Sequence, residues 1–527
     1  MTVSSSRWPA GALAVALVFT GFFAACDDSD SDSPDGGFNP DAAATGGSGG
    51  SPGTGGGPAQ GGSDGGVDSR TDGATDAGGD TAPIVMAEPD VDMVFVRFNT
   101  NGTIDNDFGT AGVATLNLSG RAGSVYDTPA SIARDAQNRL VVFGGVKGKD
   151  RSDADRVVFR LTDRGALDTT FVASPQFPSA PANGINNVYV LNMGNVADNA
   201  RRGIVQSDGK IISSGYSPLP TGVGTQTANA IVLLRLNADG TPDNGFGVGG
   251  VSVSNPFRSN VANTLWGYAE AYSVGLQDSN YVTTGYGRAA ATGTVDVISA
   301  RFNASGALDT TFGNQGASVV DLSATSFDDR GRDLAMLPDG RIVVAGSTAT
   351  AAGTAAIDGL VAVLTKDGGL DTTFNTTGYK AWDLGRANDA FFGVATSTDG
   401  KVAVVAGAST GNNQDDDAVI GVIPLDGTGT AAVKLDPVSD SGHDRFAAVA
   451  FGTEGKFYAA GFVAESDKDT ALVVVRYNAD GTRDNTFGAA GVAKKNVSVG
   501  NGILEAATAL VVQADGKVVL AGRAEGN

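Results

Sequence analysis

From about Asp90 onward the chain is written in apolar runs of four to eight residues, rich in Val, Ile, Ala and Phe. Asp-Gly or Asn-Gly turns close them. No 3.6-residue apolar period persists over a helical length, so the pattern predicts short strands joined by tight turns. Around Gly340 it predicts strands over 331–337, 341–347, 359–365 and 379–384.

Two signatures recur. A turn followed by an apolar run appears as AQNRLVVFGG, SDGKIISSGY, DSNYVTTGY, PDGRIVVAGS, TDGKVAVVAG, TEGKFYAAGF and ADGKVVLAGR. The second is NADGTRDNTFGAAG at 478–491, with NADGTPDNGFGVGG and NASGALDTTFGNQG repeating it nearly position for position. Its phenylalanines fall at Phe108, Phe171, Phe246, Phe312, Phe374 and Phe487; the last gap is close to double the others, so one copy has decayed near LDGTGTAAVKLD. Both counts give seven units of about 60 residues with four strands each, which fits propeller blades better than the shorter rungs of a solenoid. The chain finishes two strands into a unit, and the ordered part opens on the missing half, VDMVFVRFNTNGTIDNDFGTAGVATLNL. The expected fold is an all-β, seven-bladed propeller over 88–527, closed by its N-terminal strands so that no sheet edge stays open.

The combination of DGK, a VVxAG-like strand and RFN.DG.LD.TFG..G resembles the bacterial delta-sixty repeat, from about Asp90 to the C-terminus. The resemblance implies a propeller and a surface setting, and no reaction.

The opening residues differ in kind. Arg7, an apolar run from Ala10 to Ala25 and the small residues before Cys26 predict an export signal over 1–25. Phe23-Ala24-Ala25-Cys26 resembles a lipoprotein lipobox, with Phe23 departing from the usual Leu. Lipidation of Cys26, the chain's one cysteine, would make this an extracytoplasmic, membrane-anchored envelope protein of the outer membrane; ordinary cleavage would make it secreted. Residues 26–87 are Gly, Ser, Asp, Pro and Ala with hardly a large apolar side chain, and predict a flexible tether.

A net charge of −22 argues against nucleic acid, and a single histidine, His443, excludes multi-histidine metal sites. The propeller is expected to be a monomer. No cofactor is expected apart from calcium, and no catalytic residue stands out. Aligning the units gives Asp127, Asp198, Tyr268, Asp329, Asp389, Asp444 and Glu505 at one position. Six carboxylates opening the inner strands could ring a channel mouth and attract a cation such as calcium, or simply accept backbone N–H bonds between blades. A second position holds Arg97, Arg160, Arg235, Arg301 and Arg476, with Asp105, Asp168, Asp243, Asp309, Asp371 and Asp484 near it; this predicts arginine–carboxylate fasteners, although Asp371 persists where Val363 replaces the arginine. The phenylalanines are expected between blades. The third unit departs most, setting Trp266, Tyr268 and Tyr272 where others carry small residues and an acid, and these form a candidate glycan or peptide site. The leading expectation is a binding, adhesion or envelope-interaction module. The alternatives are a polysaccharide lyase or glycoside hydrolase using channel-mouth carboxylates, and a purely structural envelope protein.

Overall fold

The computed structural model describes residues 91–525 apart from 119–125, 148–152, 172–186, 195, 221–222, 224–226, 259–265, 292, 323–327, 350–356, 412–414, 428, 440–442, 467–468 and 499–504. Cys26, the predicted export signal and the tether lie outside the described residues. The chain divides into units 1–76 and 77–527; only the second contains described residues.

The described residues are all-β, with no helix, and their strands fall into four-stranded antiparallel meanders. In chain order the first is Tyr126–Arg134, Leu140–Lys147, Asp155–Leu161 and Val188–Leu191. The second is Asn199–Val205, Ile211–Pro220, Thr227–Leu236 and Val251–Ser254. The third opens on a broken strand, Tyr268–Ala269 and Ser273–Gln277, followed by Asn280–Arg288, Asp296–Phe302 and Ala317–Val320. The fourth is Asp329–Met336, Ile342–Ala349, Ile357–Leu364 and Tyr379–Trp382, matching the four strands expected around Gly340 to within two residues at every end. The fifth is Asn388–Thr396, Val402–Thr410, Asp416–Pro424 and Ala432–Leu435, and the sixth Asp444–Phe451, Phe457–Ser466, Asp469–Tyr477 and Val492–Lys495. In the last, Ala506–Val512 and Val518–Glu525 are joined by Val91–Phe98 and Val113–Leu116; Val91 pairs with Glu525 and Phe98 with Val518. The first strand of each meander packs beside the first strand of the next, and Ala506–Val512 packs beside Tyr126–Arg134.

Apolar cores lie between neighbouring meanders. Phe108 is buried among Val142, Val157 and Ala521, Phe171 among Val141, Val158 and Leu234, and Phe312 among Val282, Val297 and Val344. Phe246, Phe374 and Phe487 take equivalent places in three further clusters. Between the fifth and sixth meanders, where that motif has decayed, Phe446, Phe457 and Tyr477 fill the gap, with the Phe457 and Tyr477 rings stacked at 5.0 Å.

The repeated arginines fasten the same seams. Arg235 Nε donates to Asp243 Oδ2 at 2.8 Å, its Nη1 donates to the Ala304 carbonyl of the next meander at 2.7 Å, and its guanidinium lies 4.6 Å from the Phe246 ring centre. Arg97, Arg160, Arg301 and Arg476 repeat these contacts with Asp105, Asp168, Asp309 and Asp484. The cation that ends the turn of the turn-and-strand motif also reaches the aspartate, as Lys210 does to Asp243 and Lys456 to Asp484, both at 2.8 Å. In the fourth meander Arg341 at this second position holds Asp371 at 2.9 Å, which explains why the aspartate survives beside Val363.

The glycine of the VVxAG-like strand has an equally local cause. A Cβ on Gly407 would sit 1.9 Å from the Ala390 carbonyl oxygen, and one on Gly346 would sit 1.8 Å from that of Arg330. The first strand crosses too closely there for any side chain. Just beyond, the register slips by one residue between Pro129 and Ser131, Gly331 and Asp333, Phe391 and Gly393, Phe446 and Ala448, and Ala507 and Ala509.

Candidate functional site

A bulge leaves its extra residue outside the ladder and re-aims that side chain. In four meanders the extra residues are Ala130, Phe392, Ala447 and Thr508. Between them the pattern changes: the second meander slips by two residues, Arg201 and Arg202, the third breaks across Glu270-Ala271-Tyr272, and the fourth carries Arg332. Long polar side chains thus occupy neighbouring bulges.

They meet. Arg201 Nη2 donates to the hydroxyl oxygens of Tyr216 at 3.0 Å and Tyr272 at 3.2 Å, and the guanidinium lies 4.3 Å from the Tyr272 ring centre. The Tyr272 and Tyr286 hydroxyls are hydrogen-bonded at 2.7 Å, and their ring centres are 4.9 Å apart. Arg332 comes within 5.3 Å of the Tyr272 ring and 5.5 Å of the Tyr286 ring, and Arg330 within 5.0 Å of Tyr286. Asn229 Nδ2 donates to Glu270 Oε1 at 2.6 Å; Glu270 is 6% exposed. Arg202 is spoken for, because Asp333 holds it at 2.9 Å while accepting from Ser273 and from the Val394 backbone N–H of the fifth meander.

Electrostatics follow from crowding. Burial pushes the Glu270 carboxyl above its usual range, against the Asn229 bond and the Arg201 charge. Burial also raises the Tyr216 and Tyr286 phenols well above theirs, so both stay protonated near neutral pH. Arg330 is pulled down to about 10 by burial and by the neighbouring Arg332 charge. Arg201, Tyr216, Tyr272 and Arg332 keep part of their surface in solvent. The arrangement offers hydrogen-bond donors and positive charge to a ligand.

The three predicted aromatics are split. Tyr272 is central to this cluster. Tyr268 lies under Arg288, 5.6 Å from its ring centre, with its hydroxyl pushed up to about 12 by burial and the Glu270 charge. Trp266 is half-buried with Arg258 4.8 Å from its ring centre. Neither Trp266 nor Tyr268 makes a ring contact with Tyr272 among the described residues. Arg201, Tyr216, Glu270, Tyr286 and Arg332 were not singled out from the sequence, because strand periodicity hides a bulge.

The repeated acids lie elsewhere. Asp127, Asp198, Asp329, Asp389, Asp444 and Glu505 are at most 1% exposed. Each accepts from the backbone just past the preceding meander's outer strand: Leu118 N–H on Asp127, Met193 on Asp198, Leu322 on Asp329, Leu384 on Asp389, Val438 and Ser439 on Asp444, Val497 and Ser498 on Glu505. The six are latches between meanders, one at each seam except that before the third meander, where Tyr268 takes the position, and no three of them approach one another among the described residues. Two instead gather local triads, Asp296–Asp321–Asp329 and Asp358–Asp383–Asp389, whose oxygens lie within 4.8 Å of one another. Burial, then the Asp321 charge, pushes Asp296 up to about 6. His443 is a loop residue whose Nδ1 accepts from the Asp416 N–H at 3.2 Å. A cleft of about 240 Å³ between the first and second meanders contains Arg139 and Arg160, both already bound to Asp168.

The sequence profile of the domain of unknown function DUF5122, described as a beta-propeller, matches residues 206–246, 337–374 and 455–487. Three segments of the chain are thus similar to repeats of this DUF-type β-propeller. No curated protein matches it. Among solved structures, a protein of unknown function from Dyadobacter fermentans is similar over 83% of this chain and 100% of its own, at 10% identity and a TM-score of 0.37. A PL25 ulvan lyase is similar over 73% and 86%, at 11% and 0.39, and the α-L-arabinanase of Penicillium chrysogenum over 75% and 93%, at 10% and 0.36. Likenesses this distant bear on neither site nor activity.

Proposed function

We propose that the seven meanders are the blades of one closed ring, and that the protein is an extracytoplasmic binding module, held to the envelope by a lipid on Cys26. Its ligand seat is the cluster of Arg201, Tyr216, Glu270, Tyr272, Tyr286 and Arg332. The observation that carries this is the break in the repeat: long polar side chains occupy the bulges of three adjacent blades, and small residues or Phe392 occupy the others. Ring closure is supported by the strand Val91–Phe98 lying between Val113–Leu116 and Val518–Glu525. What weighs against the hydrolase or lyase reading on mouth carboxylates is that these carboxylates are buried and accept backbone N–H groups. Calcium, if taken up, belongs at the two acidic triads.

An array of glycans and peptides probed with the whole chain tests the reading. Binding that disappears in Arg201→Gln and Tyr272→Phe, at unchanged melting temperature, is the expected outcome. An array with no ligand, or ligand binding untouched by both substitutions, would overturn it. Palmitate labelling of wild type and its loss in Cys26→Ser test the anchor; equal labelling of both sinks it.

A further inference from the structure

We infer that the corner where the third and fourth strands of the fourth meander meet the fifth is a calcium site, with Asp358, Asp383 and Asp389 as its carboxylate ligands. The site deepens the calcium reading above, on which it rests, and stands whether or not the aromatic seat takes a ligand.

The first observation is convergence. Asp358 and Asp389 are the second residues of the strands Ile357–Leu364 and Asn388–Thr396, and Asp383 directly follows Tyr379–Trp382. Parallel pairing of Ile357 with Asn388 brings the two strand starts together. One oxygen from each carboxylate lies within 4.8 Å of the others, although Asp358 is 8% exposed and Asp389 fully buried. Twice a calcium–oxygen distance of about 2.3–2.6 Å spans that spacing. An all-oxygen set without histidine or cysteine suits a hard cation.

The second observation is an unmet buried atom. Asp389 Oδ2 accepts the Leu384 N–H at 2.7 Å, but its Oδ1 is buried without a hydrogen-bond partner. The hydroxyl of Ser409, opposite Asp389 in the ladder, ends unbonded as well. Burial, then the Asp358 and Asp383 charges, hold the Asp389 carboxyl above its usual range, against the opposing influence of nearby Ser409 and the Leu384 N–H. Buried polar atoms are matched as a rule, and a divalent cation among three carboxylates supplies both the contact and the charge.

The third observation is what the repeat sets elsewhere at the position of Asp383. Before the second and seventh meanders it is Asn192 and Asn496, and Asn496 Nδ2 donates to Asp469 Oδ2 at 2.8 Å, so there an amide meets the corner's acid. Before the sixth it is Asp436, which accepts from Tyr477 at 2.6 Å and from Arg483 at 2.8 Å. Asp383 has neither kind of partner among the described residues. Its Oδ1 accepts the Gly385 N–H of its own turn at 2.7 Å, and Arg386 in the same loop pairs with Asp415 and Asp417 instead. A cation takes the place that the amide, or the arginine, fills in the other seams.

The experiment isolates this triad. Asp321→Asn disables the other one and leaves Asp358, Asp383 and Asp389 whole. Calorimetric titration of that variant, as the whole chain, should show one calcium bound with a Kd of about 0.1–1 mM, the range of extracellular modules. Magnesium should bind at least about tenfold more weakly, because its shell demands shorter and more regular bonds. Adding Asp383→Asn installs the amide that the sister seams carry. Calcium binding should then fall about tenfold or more, while the calcium-free melting temperature holds or rises as a like charge is removed. No calcium binding up to about 10 mM, or equal affinity with and without Asp383→Asn, overturns the site. A calcium-free melting temperature that falls in Asp383→Asn also overturns it, since the fold itself would then be holding that carboxylate. Magnesium bound as tightly as calcium overturns the choice of cation. The ligand array, run in chelator, tests the aromatic seat separately.

Discussion

Replacing Asp296 by Asn should stabilise the protein at alkaline pH. Asp296 is 7% exposed, and its oxygens lie within 4.8 Å of those of Asp321 and Asp329. Burial and then Asp321 raise its carboxyl from 3.8 to about 6, against a hydrogen bond from Thr294. Because the folded state binds this proton more tightly than the unfolded chain, its contribution to stability is present below pH 4 and is lost as pH rises through about 6. At about 1.4 kcal/mol per pH unit the interval corresponds to about 3 kcal/mol; screening by water at the exposed Asp321 reduces this to about 1–2 kcal/mol. Asparagine keeps the shape and removes the charge, so at pH 8 with chelator the variant should melt about 1–2 °C higher than wild type, given the size of the domain. Near pH 4 the difference should vanish. Thermal melts across that range measure it; a variant no more stable than wild type at pH 8 would refute the assigned repulsion. Millimolar calcium should raise the wild-type melting temperature at pH 8 and raise that of Asp296→Asn less, and a wild type indifferent to calcium removes the cation reading.

Arg341→Ala should destabilise by about 1–3 kcal/mol, because Val363 leaves Asp371 no second cation, while Lys210→Met should cost less than about 1 kcal/mol since Arg235 still holds Asp243; denaturant melts separate the two. Gly407→Ala places a Cβ 1.9 Å from a backbone oxygen and should cost about 3 kcal/mol or prevent folding, read as lost soluble yield or a lowered melting temperature. Phe312→Ala should cost about 3–5 kcal/mol through the void left between the third and fourth meanders, measured in the same way.

Much of the architecture was legible because a repeat reports the same physics several times. The phenylalanine spacing placed Phe108 and its equivalents between blades, and the arginine and aspartate columns stood in register with them. Asp371 without its arginine was puzzling in the sequence, because the substitute cation, Arg341, comes from the turn before a neighbouring strand and is 30 residues away. The acidic column was visible as a column, but whether carboxylates face water or turn inward to backbone N–H groups depends on where the outer strand exits, which no periodicity encodes. The proposed ligand seat was half legible: Tyr272 stood out as an oddity, whereas Arg201 and Arg332 looked like ordinary strand polar residues until the bulges brought them together.

The sheet shared by residues 91–98 and 518–525 also bears on biogenesis. As the chain emerges in order, the earlier strand is made more than 400 residues before its partner and must wait with a bare hydrogen-bonding edge. Non-local closure of this kind is the slow step in folding a β topology, and the waiting edge is where a nascent chain aggregates. A truncation that removes only the last few strand residues should therefore cost yield far out of proportion to its length, since it strands the first-made segment rather than trimming the last.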